Sequence, residues 1–423
     1  MTEALNFILS LGSMDPEKAF SVLFSILLTV SPILLCIFLI MIFIPLWVNY
    51  VRAKFFFKEK YCVLEMKLPK ETVKSPLAME LFLMSLHQTS GESTWFDKYW
   101  LGKTRTWFSL EIVSIEGHVK FFIWMRASWK TLVSASMYSQ YPGIEIHEVE
   151  DYTRSVHWDK KEVSIWGGEL KYTKSVAYPL KTYVDYGLDK DPKEEFKVDP
   201  LVPMIEALGT LGPNQQIWIQ YIVRAHKPEQ IKPGSWFKTT DAWKDAVMAE
   251  VNKLMVRDPK TKATGELTEA GHVRPFLSPG EQETLKALER RLEKQGFDTG
   301  IRVAYICKPE AFSPHNIGLI LGSFKQFGSE SLNGLKPNGS KWLMKFDYPW
   351  QDYRDIRKNR QSKKLLEAMK RRSYFFPPYD STPLILNSEE LATIYHFPGQ
   401  VAQTPTLPRI PSKKVEAPSN LPL

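Results

Sequence analysis

The sequence predicts an α+β protein whose folded body follows one apolar helix near the N-terminus. Three observations carry this. Residues 19–51 hold no charged side chain. The stretch after them alternates apolar and polar positions in the order strand, helix, strand, strand, helix, strand. That order can then be traced a second time, with an insertion.

At 423 residues the chain is long enough for two or three domains with cores of their own. Pro (29) outnumbers Gly (22) and aromatics make up 13%, which suits a folded protein with extended connections rather than a disordered one. Cys36 lies in the apolar run, and Cys62 and Cys307 are isolated. Without CxxC or Cys/His spacing they support neither a disulfide framework nor zinc, and reduced, buried thiols are expected. No cofactor is predicted.

A bilayer core takes about 20 apolar residues in a helix, so residues 19–51 form one transmembrane anchor and are too short for two helices and a turn. Pro32 and Pro45 are expected to kink it, and Trp47 and Tyr50, followed by Arg52 and Lys54, suit the membrane interface. Glu3, Asp15 and Glu17 before the run argue against a cleaved signal peptide. Lys18 alone precedes the run, whereas Arg52, Lys54, Lys58 and Lys60 follow it. The positive-inside rule then predicts a single-pass protein of the inner (cytoplasmic) membrane with its bulk in the cytoplasm. Residues 1–18 are a short leading segment; within it, 4–11 are amphipathic and suit the outer interface, a disordered end being the alternative.

The first folded domain is expected over 52–152. Strand 61–69 is followed by a helix over 75–88, opened by Ser75 and Pro76. Strands 106–117 and 118–128 meet at Gly117-His118, a helix runs to Pro142-Gly143, and a strand covers 144–152. This β-α-β-β-α-β order is the split βαβ unit of a ferredoxin-like two-layer sandwich. A second such sandwich is expected over 153–348: strand 176–186, helix 199–211, strands 215–226 and 300–309, and helix 313–328, with no clear last strand unless 341–349 supplies it. Between its middle strands an insertion at about 227–297 holds two charged helices, the second with the Ser278…Glu281 capping-box spacing. Residues 349–400 carry a basic helix and a strand/helix segment. Residues 401–423, with Pro405, Pro408, Pro411, Pro418 and Pro422, form an extended tail. The repeat is one of element order, since the halves share little residue identity.

Gly102-Lys103-Thr104 has the last three letters of a P-loop, but Asp97 stands where the first glycine belongs, and the segment leads into a strand. A phosphate cradle needs consecutive loop amides and a following helix, so nucleotide binding is excluded here, and likewise near Gly339. Trp95, Phe96, Tyr99, Trp100, Trp107 and Phe108 form an aromatic cluster, expected to pack in the core, with a membrane- or partner-facing patch as the alternative. Most of the formal charge of +8 lies between Arg354 and Arg372, where nine basic residues face Asp355 and Glu367, a net +7. Arg354, Arg357, Lys358, Arg360, Lys363, Lys364, Lys370, Arg371 and Arg372 are therefore candidate contacts to a partner or to phosphate, against a merely solvated face. No HExxH, GxSxG or clustered histidines occur: His147 in "IHEVED" lacks a second histidine. No catalytic or metal site is predicted.

The segments "YWLGKTRTWFSLEI" and "LNSEELATIYHFPG", with "RRSYFFPPY" between them, resemble a family of membrane-anchored bacterial proteins. In its longer members this region precedes a HerA/FtsK-like motor, as in the ATPases of conjugation and type IV secretion. The resemblance covers nearly the whole chain. It implies an anchor half that serves membrane attachment and assembly, with Asn387, Glu389, Glu390, Tyr395, His396 and Phe397 placed next to the motor as docking candidates. The sequence ends at Leu423, ahead of any phosphate-binding loop; the expectation is that a separately encoded HerA/FtsK-like ATPase supplies the motor, the alternative being that this chain serves without one. The expectation is thus a non-enzymatic docking module, in contact with membrane lipid and with other copies of itself. The alternative is a membrane-tethered protein that binds nucleic acid, indirectly as a partner, through its basic helix.

Overall fold

A computed structural model describes residues 16–399 apart from 70–73, 190–197, 229, 232–238, 256–264, 268–272, 276, 340–345, 347 and 349. The amphipathic stretch 4–11, the Pro-rich tail 401–423 and most of the strand expected at 341–349 lie outside the described residues. The described residues form two compact units, one from Pro16–Lys58 with Gly91–Thr104, the other from Glu59–Ser90 with the chain from Arg105 onward.

The first unit is built on α1, Pro16–Lys58, a single helix of 43 residues with Pro32 and Pro45 inside it. It is long and apolar enough to cross a membrane. Leu34, Leu35, Ile37, Phe38, Leu39, Ile40 and Met41 are all exposed in succession, so the helix is apolar on every side. Pro32 lacks the N–H that would bond the Leu28 carbonyl, and the Ser31 hydroxyl donates to that carbonyl instead, at 3.0 Å. Cys36, expected to be buried, is exposed on this helix. A π-helical turn, Asp97–Leu101, ends at Gly102 with φ +63°. Gly102 lies against α1 so closely that a Cβ would stand 2.4 Å from the Val51 carbonyl. Lys103 pairs with Asp97 at 2.9 Å. The glycine and lysine of the P-loop-like triplet are therefore packing and pairing residues.

The second unit is mixed α/β around one large antiparallel sheet. In chain order it runs β1 (Tyr61–Lys67), α2 (Leu77–Ser85), β2 (Trp107–Ile115), β3 (His118–Arg126), α3 (Lys130–Gln140), β4 (Glu145–Val149), β5 (Ser164–Tyr172), α4 (Val202–Gly209) and β6 (Gln215–Ala225). Small ribbons β7 (Gln230–Ile231) with β8 (Thr239–Thr240) and β9 (Gly265–Leu267) with β10 (Val273–Pro275) flank α5 (Ala242–Leu254). Then come α6 (Pro279–Glu293), β11 (Gly296–Cys307), α7 (Pro314–Ser323), β12 (Leu335–Pro337), α8 (Ile356–Arg371), β13 (Leu384–Asn387) and α9 (Ser388–Ile394). The main sheet has the order β12-β5-β11-β6-β2-β3-β1-β4, with β13 beside the first residues of β11. Counted within each half, both sets of four strands take the order fourth, first, third, second. They join through β2 and β6 into one sheet rather than two separate sandwiches.

The first half keeps the expected order of elements, but α2 is N-capped by Pro76 rather than Ser75, and residues 52–58 and 91–104 of the domain expected over 52–152 belong to the first unit. In the second half the opening strand is β5, and the expected strand at 176–186 is a series of turns around Pro179. Gly167 and Gly168 lie inside β5. In the fold Gly167 is a close approach: a Cβ there would stand 2.2 Å from the Val303 carbonyl and 2.8 Å from Leu365 of α8. The insertion carries α5 and α6, which share Trp243, Val247, Val251 and Leu288, and the Ser278/Glu281 capping box is formed.

One face of the sheet builds the main core. Alternate residues such as Leu110, Ile112, Phe121, Ile123, Ile219, Tyr221, Val303 and Tyr305 meet Phe82, Met137, Ile205, Leu208 and Ile320 from α2, α3, α4 and α7. Trp107 and Phe108 are buried, but Trp95, Phe96 and Trp100 are 66%, 52% and 54% exposed. The aromatic cluster expected in the core is therefore divided, because Gly102 and Lys103 end the exposed turn before β2 begins.

Candidate functional site: a basic helix fixed over a charged sheet face

The opposite face of the sheet is polar at its centre. The strand registers align Glu169, Arg302, Gln220 and Glu111 across β5, β11, β6 and β2, and all four are buried. Buried charges must be paired and hydrogen-bonded, and the partners come from α8 and the residues after it. Arg302 donates to both Glu169 Oε1, at 2.9–3.0 Å, and the carbonyls of Ala368 and Tyr379. Gln220 donates to the Met369 carbonyl at 3.2 Å. Arg372, fully buried, forks onto Glu111 (Nε to Oε1 2.9 Å) and onto Asp151, and donates to the Lys370 carbonyl. The last carbonyls of α8 thus end on cationic and amide donors, which suits the negative end of the helix. Burial opposes ionisation of Asp151, but the Arg372 guanidinium and the Thr153 donors outweigh it and hold its carboxyl below the usual range. Tyr152, raised by burial and by the Glu111 carboxylate, donates to Glu111 at 2.8 Å.

α8 is basic on one side and apolar on the other. Leu365, Leu366, Ala368 and Met369 are buried, whereas Arg354, Arg357, Arg360, Lys363, Lys364 and Arg371 are exposed, and Lys358 and Lys370 are half-buried. Arg354 precedes the helix at φ +52° and stacks over Tyr353; Arg357 donates to the Gln351 carbonyl. Among the described residues, none of Arg360, Lys363, Lys364 and Arg371 pairs with a carboxylate. Eight of the nine predicted contacts remain available on this surface, and Arg372 is corrected: it serves the buried network, because Glu111 and Asp151 would otherwise be uncompensated.

The six docking candidates need a larger correction, since all are buried. Asn387 and Glu390 form a capping box at the start of α9. Glu390 Oε1 also accepts from Leu180 N at 2.7 Å and from the fully buried Arg291 at 3.0 Å. Glu389 takes Thr182 and Arg290; burial nonetheless raises the pKa of both glutamates. Tyr395 donates to the Phe122 carbonyl, and Phe397 packs edge-on to Phe121 and Tyr141. The segment closes the core and presents none of these side chains to a partner. Of the interface residues, Tyr50 and Lys54 are exposed on α1, Arg52 is half-buried, and Trp47 donates to the Tyr99 carbonyl at 2.8 Å.

His396 faces only acceptors: Nδ1 meets the Ala392 and Thr393 carbonyls, and Nε2 meets both oxygens of Asp199 at 3.1 Å. Both nitrogens must donate, so the ring is an imidazolium. Burial opposes that charge, but Asp199 and the carbonyls outweigh it, raising His396 and lowering Asp199. The raised histidine stabilises fully below its unfolded value of about 6.5, and that contribution is lost as pH rises through the higher folded value. The lowered aspartate stabilises fully above about 3.9, and its contribution is lost as pH falls through the lower folded value. The pair should therefore contribute most between about pH 4 and 6.5. His396→Gln is expected to lower the urea midpoint of the full chain more at about pH 5 than at about pH 9. An equal loss at both would show a neutral ring. His226, between Asp298 (2.5 Å) and Asp241 (3.2 Å), is raised in the same manner, so the comparison is made as a difference from the unsubstituted chain.

The sequence reading missed Glu111, Asp151, Glu169, Gln220 and Arg302. Glu111, Glu169, Gln220 and Arg302 lie on alternating strands, where they are ordinary solvent-face residues until α8 buries them, and Asp151 caps the short turn after β4. Helix, sheet and basic surface together define a class: a mixed α/β body behind one apolar helix of membrane-spanning length. The chain belongs to the family described as Domain of unknown function (DUF8128), whose model matches residues 57–409, the body after the apolar run. No curated protein matches it.

Proposed function

We propose that this protein is a membrane-anchored assembly module that docks a cytoplasmic HerA/FtsK-like ATPase at the inner membrane, with α1 as the anchor and the outer side of α8 as the docking surface. The body is read here as two ferredoxin-like units sharing one sheet through their second strands, with the bulk of the chain in the cytoplasm. The observation that carries the proposal is the basic face of α8, whose cations lack carboxylate partners among the described residues while its C-terminal end is fixed by the buried arginines. A flexible basic arm would have to order itself on binding; a face already held in place does not. The sequence resemblance to anchor halves of conjugation and secretion ATPases supplies the choice of partner, and the basic residues following α1 supply the orientation.

The test is co-purification of a P-loop ATPase without an anchor of its own, from native membranes in mild detergent. The charge-reversed chain Arg360→Glu/Lys363→Glu/Lys364→Glu is expected to lose the ATPase while keeping its membrane fraction and its unfolding transition. Undiminished recovery of the ATPase would place docking elsewhere. The unpaired cations also suit nucleic-acid phosphates, which is the second reading. It requires binding whose affinity falls steeply with salt, with a slope of about −0.9 per phosphate neutralised on duplex DNA; binding that is absent or insensitive to salt excludes it.

A further inference from the structure

The turn that carries the P-loop-like triplet has no role in the docking reading, and its surroundings are unusual. Trp95, Phe96, Trp100 and Leu101 are exposed within a few residues of one another. Large apolar side chains gathered on a surface mark an interaction site rather than chance exposure. The turn is also firmly held. Trp47 of α1 donates to the Tyr99 carbonyl, Trp47 and Trp100 meet edge-on at 6.0 Å, and Gly102 sits against the Val51 backbone. Between turn and helix is a cleft of about 450 Å³, lined by Phe43, Ile44 and Trp47 of α1 and by Trp95, Tyr99 and Trp100. One wall of the cleft therefore belongs to the charge-free run, whose other sides are apolar as well. At 1.5 Å per residue, Phe43 to Tyr50 covers about 10 Å of the helix, and Trp and Tyr are the residues that gather at a headgroup boundary. Lys54 and Lys58 on the last turns of α1, and Lys98 on the turn itself, are exposed cations at this end.

We propose that residues 95–101 are a second membrane contact, lying in the headgroup region at the Lys58 end of α1, and that the cleft takes the acyl chain of a phospholipid whose phosphate is met by these lysines. Continuity decides the occupant: an acyl chain in the cleft lies against the same Phe43, Ile44 and Trp47 that the bilayer meets along α1. The exposed Trp95 and Trp100 rings have the apolar body and polar N–H that favour this depth. Gly102 is required because any side chain there would push the turn off the helix.

The proposal rests on α1 crossing the membrane, and the test separates the two. The full-length protein, with Cys36 replaced by serine, is reconstituted into vesicles of phosphatidylcholine and phosphatidylglycerol. An environment-sensitive fluorophore is attached at Phe96→Cys or, separately, at Leu35→Cys, and quenched by lipids carrying a nitroxide near the headgroup or near the chain end. The expected result is quenching at residue 96 mainly by the headgroup-proximal nitroxide, and at residue 35 mainly by the deep one. With Trp95→Ser/Trp100→Ser added, quenching at residue 96 should fall several-fold while that at residue 35 is unchanged. Water-like, unquenched emission at residue 96 with normal quenching at residue 35 overturns the lipid contact alone. Loss of quenching at both positions overturns the anchor, and the lipid contact with it.

Discussion

A chain lacking residues 384–423 is expected not to fold, whereas one ended at Gly399 is expected to keep a cooperative unfolding transition. The shorter chain loses β13 and α9, and with them the buried Leu384, Leu386, Leu391, Ile394, Tyr395 and Phe397. At about 1.5–3 kcal/mol for each buried side chain, the loss is of order 10 kcal/mol, comparable with the whole stability of a domain, about 5–15 kcal/mol. It also strips partners from groups that stay behind. Arg291 loses Glu390, Arg290 loses Glu389, Asp199 loses His396, and Glu80 loses the Ser388 hydroxyl. Near-UV circular dichroism and limited proteolysis of both chains in detergent check this. A native-like transition in the shorter chain would make the segment an appended arm. The result bears on function, because an ATPase lost after deletion from residue 384 would report unfolding, whereas loss after ending at Gly399 would place docking in residues 400–423 rather than on α8.

Arg372→Met is expected to destabilise the body by about 3–5 kcal/mol, since it leaves Glu111 buried without its cation and Asp151 without its fork. That corresponds to a fall in Tm on the order of 10 °C. Arg372→Lys should recover little, because an ammonium cannot serve two carboxylates and a carbonyl with the geometry of the guanidinium fork. Adding Glu111→Gln to Arg372→Met should recover part of the loss, and the unsubstituted chain, the two single variants Arg372→Met and Glu111→Gln, and the double variant give a coupling energy for the pair. Urea titration of the four chains provides the values, and a loss below about 1 kcal/mol would mean that water reaches these carboxylates. The same substitution frees the C-terminal end of α8, so ATPase recovery should drop with stability in Arg372→Met but without it in the charge-reversed helix.

The local elements were legible where one signal dominated. Alternation in "WFSLEIVSI" and "HVKFFIWMR" gave β2 and β3, Pro142-Gly143 closed α3, and the Ser278/Glu281 spacing started α6. The signal failed where a residue answers to something distant in sequence. β5 went unassigned, and its Gly167 lets α8 and β11 approach it. "VAYPLKTYVDY" alternates like a strand, but Pro179 and the Thr182–Asp185 hydrogen bonds turn it. The candidate site divided along the same line. The exposed cations of α8 were visible as a charge run, whereas Arg372 is indistinguishable in sequence from its exposed neighbour Arg371.

By itself the sequence determined the apolar helix, the order of strands and helices in the first half, the inserted helix pair and the concentration of positive charge, because each depends on neighbours within a few turns of chain. The tertiary structure decided what those features are used for. It joined the halves into one sheet and buried residues 387–397, which had read as a docking segment. It exposed Trp95 and Trp100, and it converted Glu111, Glu169, Gln220 and Arg302 from a solvent face into a network. The physical reason is that burial is a property of what covers a residue, and here the cover arrives from α8, which begins at Ile356, 49 residues after the nearest of these strands, β11, ends at Cys307.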